Sequence, residues 1–253
     1  MAFDNANIFA ALQMAWGQDA AGTLGRSPIT NLFAMNESLP NNFDIQLGRP
    51  SGLGEVNTGT FLISGHASGF EDVTEAPKLP RVRPEHWSLL LDELRIDDEP
   101  FMFNKSSVPG VPPGKVIAVL DTGFSLPPLP KEAVDAIYST IEGAEFYTSS
   151  FISAWVIPCN SSREVSFVFG YVPELVSRCC SLISTFWHSG REYMVHPLDL
   201  SLLQTIPILD ANGDEKNVTV CFATYQYLSL DPTSFSGFDL ILGDAFLRSV
   251  YAS

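Results

Sequence analysis

Val116-Ile-Ala-Val-Leu120 runs straight into Asp121-Thr122-Gly123, and no other stretch of the chain restricts its fold as sharply. Five consecutive apolar residues, three of them β-branched, predict a strand buried on both faces. Gly123 permits the tight turn that must follow. Leu-Pro-Pro-Leu-Pro over residues 126–130 then stiffens the exit. A carboxylate at the end of a buried strand raises the question of whether Asp121 is half of a catalytic pair, and where the other half is.

At 253 residues the chain can bury a large core, as one all-β unit or two lobes. Hydrophobic residues at 45% against charged residues at 17% exclude a disordered chain. With 14 Lys+Arg against 29 Asp+Glu the formal charge is −15, which disfavours nucleic acid and anionic membranes as partners. Such acidity suits solubility, or service at low pH where protonated carboxylates repel less. No apolar stretch reaches the roughly 18 residues of a membrane span. The opening MAFDNANIFA has neither the basic nor the apolar region of a signal peptide. Four Asn-x-Ser/Thr sequons, at Asn36, Asn104, Asn160 and Asn217, nonetheless suit a secreted surface. A true N-terminus lying upstream reconciles the two.

Four cysteines allow three pairings. Cys159 and Cys221 sit in strand-like contexts and read as a structural disulfide, whereas the adjacent Cys179 and Cys180 cannot bond each other without strain. A metal site is not expected, since there is no Cys-x-x-Cys and His66, His86, His188 and His196 are scattered.

Along the chain, Ile8, Phe9, Leu12, Ala15 and Trp16 predict a helix over 5–16. FDIQLGR and GTFLISG read as two strands. SGHASG brings Ser68 near His66 but lacks the elbow spacing of a hydrolase nucleophile, and is a loop. RPSGLGE has no Lys and no helix behind it, so it is a turn and not a phosphate cradle. Residues 74–85, with three prolines, form a connector. HWSLLLDELRID then predicts a strand, DDEP a turn and FMF the start of the partner strand. After the Asp-Thr-Gly, KEAVDAIYSTI predicts a helix over 131–141 with Val134, Ile137 and Ile141 inward and Pro130 in its first turn. FDLILGDAFLRSVYAS predicts a strand joined to a short helix, with Asp239 a strand-edge acid and Asp244 a helix cap. Trp87 and Trp155 are expected in the core.

The buried strand into Asp121-Thr122-Gly123, the helix after it, the spacing from Cys159 to Cys221 and the closing LILGDAFLRSVY together resemble the pepsin-like aspartic proteases, the fungal secreted ones most closely. Asp-Thr-Gly alone is a weak signal. Its combination with an apolar-apolar-Gly strand, Ile241-Leu242-Gly243, about a lobe's length later is a specific one. The resemblance implies a mainly β, bilobal fold with one catalytic Asp per lobe. It places residues 1–73 at the end of the N-terminal lobe and in the sheet joining the lobes, and residues 74–253 in the C-terminal lobe. It also implies a polypeptide substrate, no cofactor, a monomeric full-length enzyme, and a secreted or vacuolar location.

The chemistry of the family needs two carboxylates sharing one proton: one takes a proton from the attacking water and the other donates to the peptide carbonyl. This chain has a single Asp-Thr-Gly and no tyrosine before Tyr138 to serve as a flap residue. The expectation is therefore a fragment carrying Asp121 alone, inactive by itself, with a non-catalytic binding protein as the alternative. Completion by homodimerisation is disfavoured by the chain's length. Thr122, Gly123, Ser125, Ile241, Leu242 and Gly243 are implied as support for the loop. Phe124 stands where the family carries a Thr or Ser whose hydroxyl bonds the catalytic carboxylate. That loss is expected to raise the Asp121 pKa, and Phe124 itself reads as a subsite wall or a packing residue. Finally, residues 171–190 separate two strand-like runs that adjoin in the family, and read as an insertion or a retained intron.

Overall fold

The computed structural model describes residues 28–49, 58–76, 78–82, 86–148, 153–170, 190–209, 215–228 and 237–253. The expected helix over 5–16, the cysteine pair 179–180 and the segment 171–189 lie outside them. Helix α1 (Pro28–Met35) precedes an antiparallel pair, β1 (Phe43–Gln46) and β2 (Thr60–Ile63), where the two sequence runs predict strands. A 3-10 turn over Glu71–Glu75 leads into the Pro-rich connector.

Strand β3 (Ser88–Ile96) does not alternate cleanly in sequence, because Leu91 and Leu94 are three apart yet both fully buried. A β-bulge resolves this: Asp92 is the extra residue against the partner strand, so the inward face shifts by one position. Asp97 and Asp98, at φ 51° and 66°, then form a two-residue turn into β4 (Glu99–Phe101). Asp tolerates the left-handed region that such hairpin turns require. The turn is thus shorter than DDEP suggests, and the partner strand begins at Glu99 instead of Phe101. β5 (Val116–Leu120) is the predicted buried strand.

Beyond the Asp-Thr-Gly come β6 (Pro128–Leu129) and helix α2 (Lys131–Tyr138). The helix stops three residues earlier than its apolar period suggests, and Pro130 caps it instead of lying within its first turn. Its buried face is Ala133, Val134, Ile137 and Tyr138; Ile141 packs against the core from the turn that follows. The chain continues through β7 (Glu145–Thr148), β8 (Ser153–Ile157), β9 (Val165–Phe169), β10 (Arg191–Val195), β11 (Ser201–Leu209), β12 (Glu215–Ala223), β13 (Gln226–Tyr227) and β14 (Leu240–Leu242). The short helix α3 (Asp244–Leu247) follows.

Two sheets dominate. One runs β10-β9-β3-β5-β14 with β4 also on β3, and the other runs β11-β12-β8-β7. Leu91, Leu94, Phe167, Phe246, Leu240 and Leu242 are buried in the main core. Each such side chain contributes roughly 1.5–3 kcal/mol by burial. Cys159 and Cys221 form a disulfide as expected, linking the end of β8 to its neighbour β12. Trp155 is half-buried and donates its ring N–H to Asp135. Trp87, expected in the core, is 57% exposed and meets Phe43 edge-on, because its neighbour Ser88 takes the buried face and the alternation of an extended chain turns Trp87 to the other side.

Candidate active site

β5 lies between antiparallel β3 and parallel β14, and this pairing sets the height at which the chain emerges at Asp121. Leu240, Ile241 and Leu242 stand opposite Ala118, Val119 and Leu120. The Asp121 backbone N–H donates to the Leu242 carbonyl at 3.2 Å, so the turn stays fastened to β14 beyond the last strand residue. Within the turn, the Gly123 N–H donates to Asp121 Oδ1 at 2.8 Å and the Phe124 N–H donates to the Asp121 carbonyl at 3.4 Å. The first of these holds one carboxylate oxygen. Asp121 to Phe124 are all partly accessible.

The apolar-apolar-Gly signature has a steric reason. The Asp244 N–H donates to the Phe124 carbonyl at 3.0 Å, and a Cβ on Gly243 would lie 2.0 Å from that same oxygen. Only a residue without a side chain lets the two loops touch. Phe124 packs against the buried cluster formed by Val108, Ile117, Val119, Phe238 and Ile241, which gives it a packing role. The Ser125 hydroxyl donates to Asp244 Oδ2 at 3.1 Å, so it ties the exit of the Asp-Thr-Gly loop to α3.

Both acids near the chain end do more than the sequence suggests. Gly243, not Asp244, occupies the capping position of α3, and no side chain caps it. Asp244 is the first helical residue and receives Ser125 and the Arg248 guanidinium. Burial raises its pKa, against the lowering effects of Arg248 and Ser125. Asp239 is not a strand-edge acid but a buried clamp. It accepts from the Ser106 hydroxyl (2.6 Å), the Ser107 N–H (2.7 Å), the Ser107 hydroxyl (2.8 Å) and the Ile117 N–H (2.8 Å). It therefore pins the 106–108 loop to β5, four residues before Asp121.

A second cluster was not foreseen. Asp44 on β1 is 1% exposed and lies 2.6 Å from His66 Nδ1, while the Tyr251 hydroxyl (2.5 Å) and Asn42 amide (3.2 Å) donate to it. Tyr251 also accepts from the Ala67 N–H and stacks on Phe70. Together with the Ile45–Ala252 bridge, this fastens the β1–β2 hairpin to the chain end beyond α3. Burial opposes ionisation of Asp44, but hydrogen bonds from Ser253, Tyr251, His66 and Asn42 outweigh it and hold its pKa below the ordinary carboxylate value. A depressed folded pKa contributes stability above the unfolded value of about 3.9, lost as pH falls through the folded value. Asp44→Asn should therefore cost roughly 1–3 kcal/mol near neutral pH. Thermal melts from pH 7 to pH 2 should show the gap from wild type narrowing below about pH 4. A gap constant across that range would count against the assignment.

A mainly β lobe in which an Asp-Thr-Gly loop is buttressed by a parallel apolar-apolar-Gly strand is that of a pepsin-like aspartic protease. A family model described as eukaryotic aspartyl protease matches residues 73–253, well over half of the chain, and the chain belongs to that family. No curated protein matches it. Of the residues singled out from sequence, Asp121, Gly123, Phe124, Ser125, Leu242 and Gly243 come together around one loop, with Ile241 on the strand beneath. The asparagines of all four sequons, Asn36, Asn104, Asn160 and Asn217, are exposed. Asp239 and Asp44 carried no local signal, since their partners lie far off in sequence.

Proposed function

We propose that Asp121 supplies one carboxylate of the pair used by an acid endopeptidase. The other is supplied from outside these 253 residues, and the chain alone hydrolyses no peptide. The observation that carries this reading is the Asp121 loop itself: a carboxylate on an accessible turn, oriented by Gly123 N–H and locked by Gly243 against Phe124. A single Asp-Thr-Gly occurs in the sequence, and one carboxylate cannot be both the base toward water and the acid toward the carbonyl oxygen. In the complete pair, one proton is shared across an acidic window, bounded by about pH 1.5 and 4.7 in pepsin. The substrate is a polypeptide and the compartment extracellular or vacuolar. Phe124 is partly accessible, and its exposed part shapes a subsite.

The test has two arms. The chain alone should leave a denatured protein intact at every pH, and cleavage abolished by Asp121→Asn would instead point to an active homodimer. Fused behind a lobe carrying a second Asp-Thr-Gly, the chain should cleave in acid. There Asp121→Asn should lower kcat by about 10²–10⁴-fold with KM little changed. An unaffected kcat in the fusion would favour the non-catalytic binding reading.

A further inference from the structure

We infer that the chain carries N-linked glycans, and that those on Asn36 and Asn104 cover its two most exposed large apolar side chains. Among the described residues these are Met35 at 84% and Met102 at 73%, and each lies within two positions of a sequon asparagine. Exposed apolar surface favours association where it is contiguous, and Leu32 at 37% shares the helix that ends at Met35. Leu39, 40% exposed, follows Asn36 by three positions. The Cys159–Cys221 disulfide points independently to the oxidising compartment in which such glycans are attached.

The local geometry at Asn36 suits the reaction. Its carbonyl Oδ1 accepts from the Ser38 hydroxyl at 2.6 Å and from the Ser38 N–H at 3.3 Å. Both bonds draw on the oxygen and neither uses the amide nitrogen, and the residue is exposed. At Asn104 the amide nitrogen donates to exposed Glu132 at 2.7 Å, a surface bond that water can replace. Its sequon hydroxyl, Ser106, is held by buried Asp239. Transfer at Asn104 must therefore precede closure of that loop, whereas Asn36 remains competent on the folded chain. In either case the amide nitrogen attacks the anomeric carbon of an oligosaccharide carried on a polyprenyl pyrophosphate. The new C–N bond replaces the C–O bond to the pyrophosphate, which departs with the electron pair, and the nitrogen gives up one proton.

The experiment is secretion of the full chain from a eukaryotic host, followed by peptide mapping after glycosidase treatment in heavy-oxygen water. Asn36 and Asn104 should both be recovered as labelled Asp. Asn36→Gln and Asn104→Gln should each remove one glycan and raise binding of a hydrophobic dye. Enzymatic removal of glycans after folding should raise dye binding in the same way, independently of any effect of substitution on folding. Unlabelled Asn36 and Asn104 in disulfide-bonded protein would overturn the inference, as would labelling confined to Asn160 and Asn217. Dye binding unchanged by deglycosylation would overturn the covering role.

Discussion

Gly243→Ala should destabilise the fold by about 3 kcal/mol or more, beyond the 1–3 kcal/mol usual for over-packing. The new Cβ would sit 2.0 Å from the Phe124 carbonyl oxygen and 3.0 Å from both its carbonyl carbon and Cβ. Two of those atoms are backbone, on a loop tied to Leu242 and Asp244, so they cannot swing aside as a side-chain tip would. Relief requires parting β14 from the Asp121 turn, which breaks the Asp121–Leu242 and Asp244–Phe124 bonds together. Against a typical total stability of 5–15 kcal/mol that is a large fraction. Gly65→Ala is the control: nothing lies within 4 Å of its added Cβ, so its effect should stay within about 0.5 kcal/mol. Urea denaturation of the two variants measures the contrast, and equal midpoints would remove the steric account of the motif.

The same position shows what a sequence does and does not disclose. Ile241-Leu242-Gly243 is readable as a pattern, but its cause is a contact with Phe124, a residue 119 positions earlier. β3, β5 and β14 are legible because apolar runs have to be buried somewhere. The bulge at Asp92 is not, since it arises from the register against β9. Asp239 looks like one acid in an apolar run, and only the fold brings Ser106, Ser107 and Ile117 to it. Asp44 is likewise defined by Tyr251, 207 residues away. An acid at a helix start, such as Asp244, invites the capping reading, but Gly243 already holds that place for steric reasons.

Deleting residues 171–189 should stabilise the protein. β9 and β10 pair with Phe169 opposite Arg191, so only Gly170 and Gly190 stand between the paired strands and that segment. Gly170 already has φ +79°, the left-handed conformation a two-residue hairpin turn demands. The deletion leaves Phe169-Gly170-Gly190-Arg191, a Gly-Gly hairpin of the preferred length. It also moves the downstream edge of the insertion one residue earlier than the run 171–190. Shortening the connection from 21 residues to two lowers the closure entropy by about 2 kcal/mol. For a chain of this size that is a rise in Tm of about 4–8 °C. The proposal that the segment is translated intron makes a second, sharper demand on the gene. Gly170-Tyr171-Val172 is encoded by GGN-TAY-GTN, which contains the splice-donor sequence GTAYGT when the Gly170 codon ends in G. His188-Ser189 can be encoded by CAY-AGY, which contains the acceptor YAG, and Leu182-Ile183 by CTA-ATH, which contains a branch-point CTAAT. Cutting at the third base of codon 170 and after the second base of codon 189 removes 57 nucleotides, the length of nineteen codons. The joined codon is GGY, so Gly170 is restored and Gly190 follows in frame. Genomic sequence across codons 170–190 reads the outcome directly. Any other third base in the Gly170 codon, or a TCN codon at Ser189, would rule this splice out, and a deletion variant that melts below wild type would show the segment to be part of the fold.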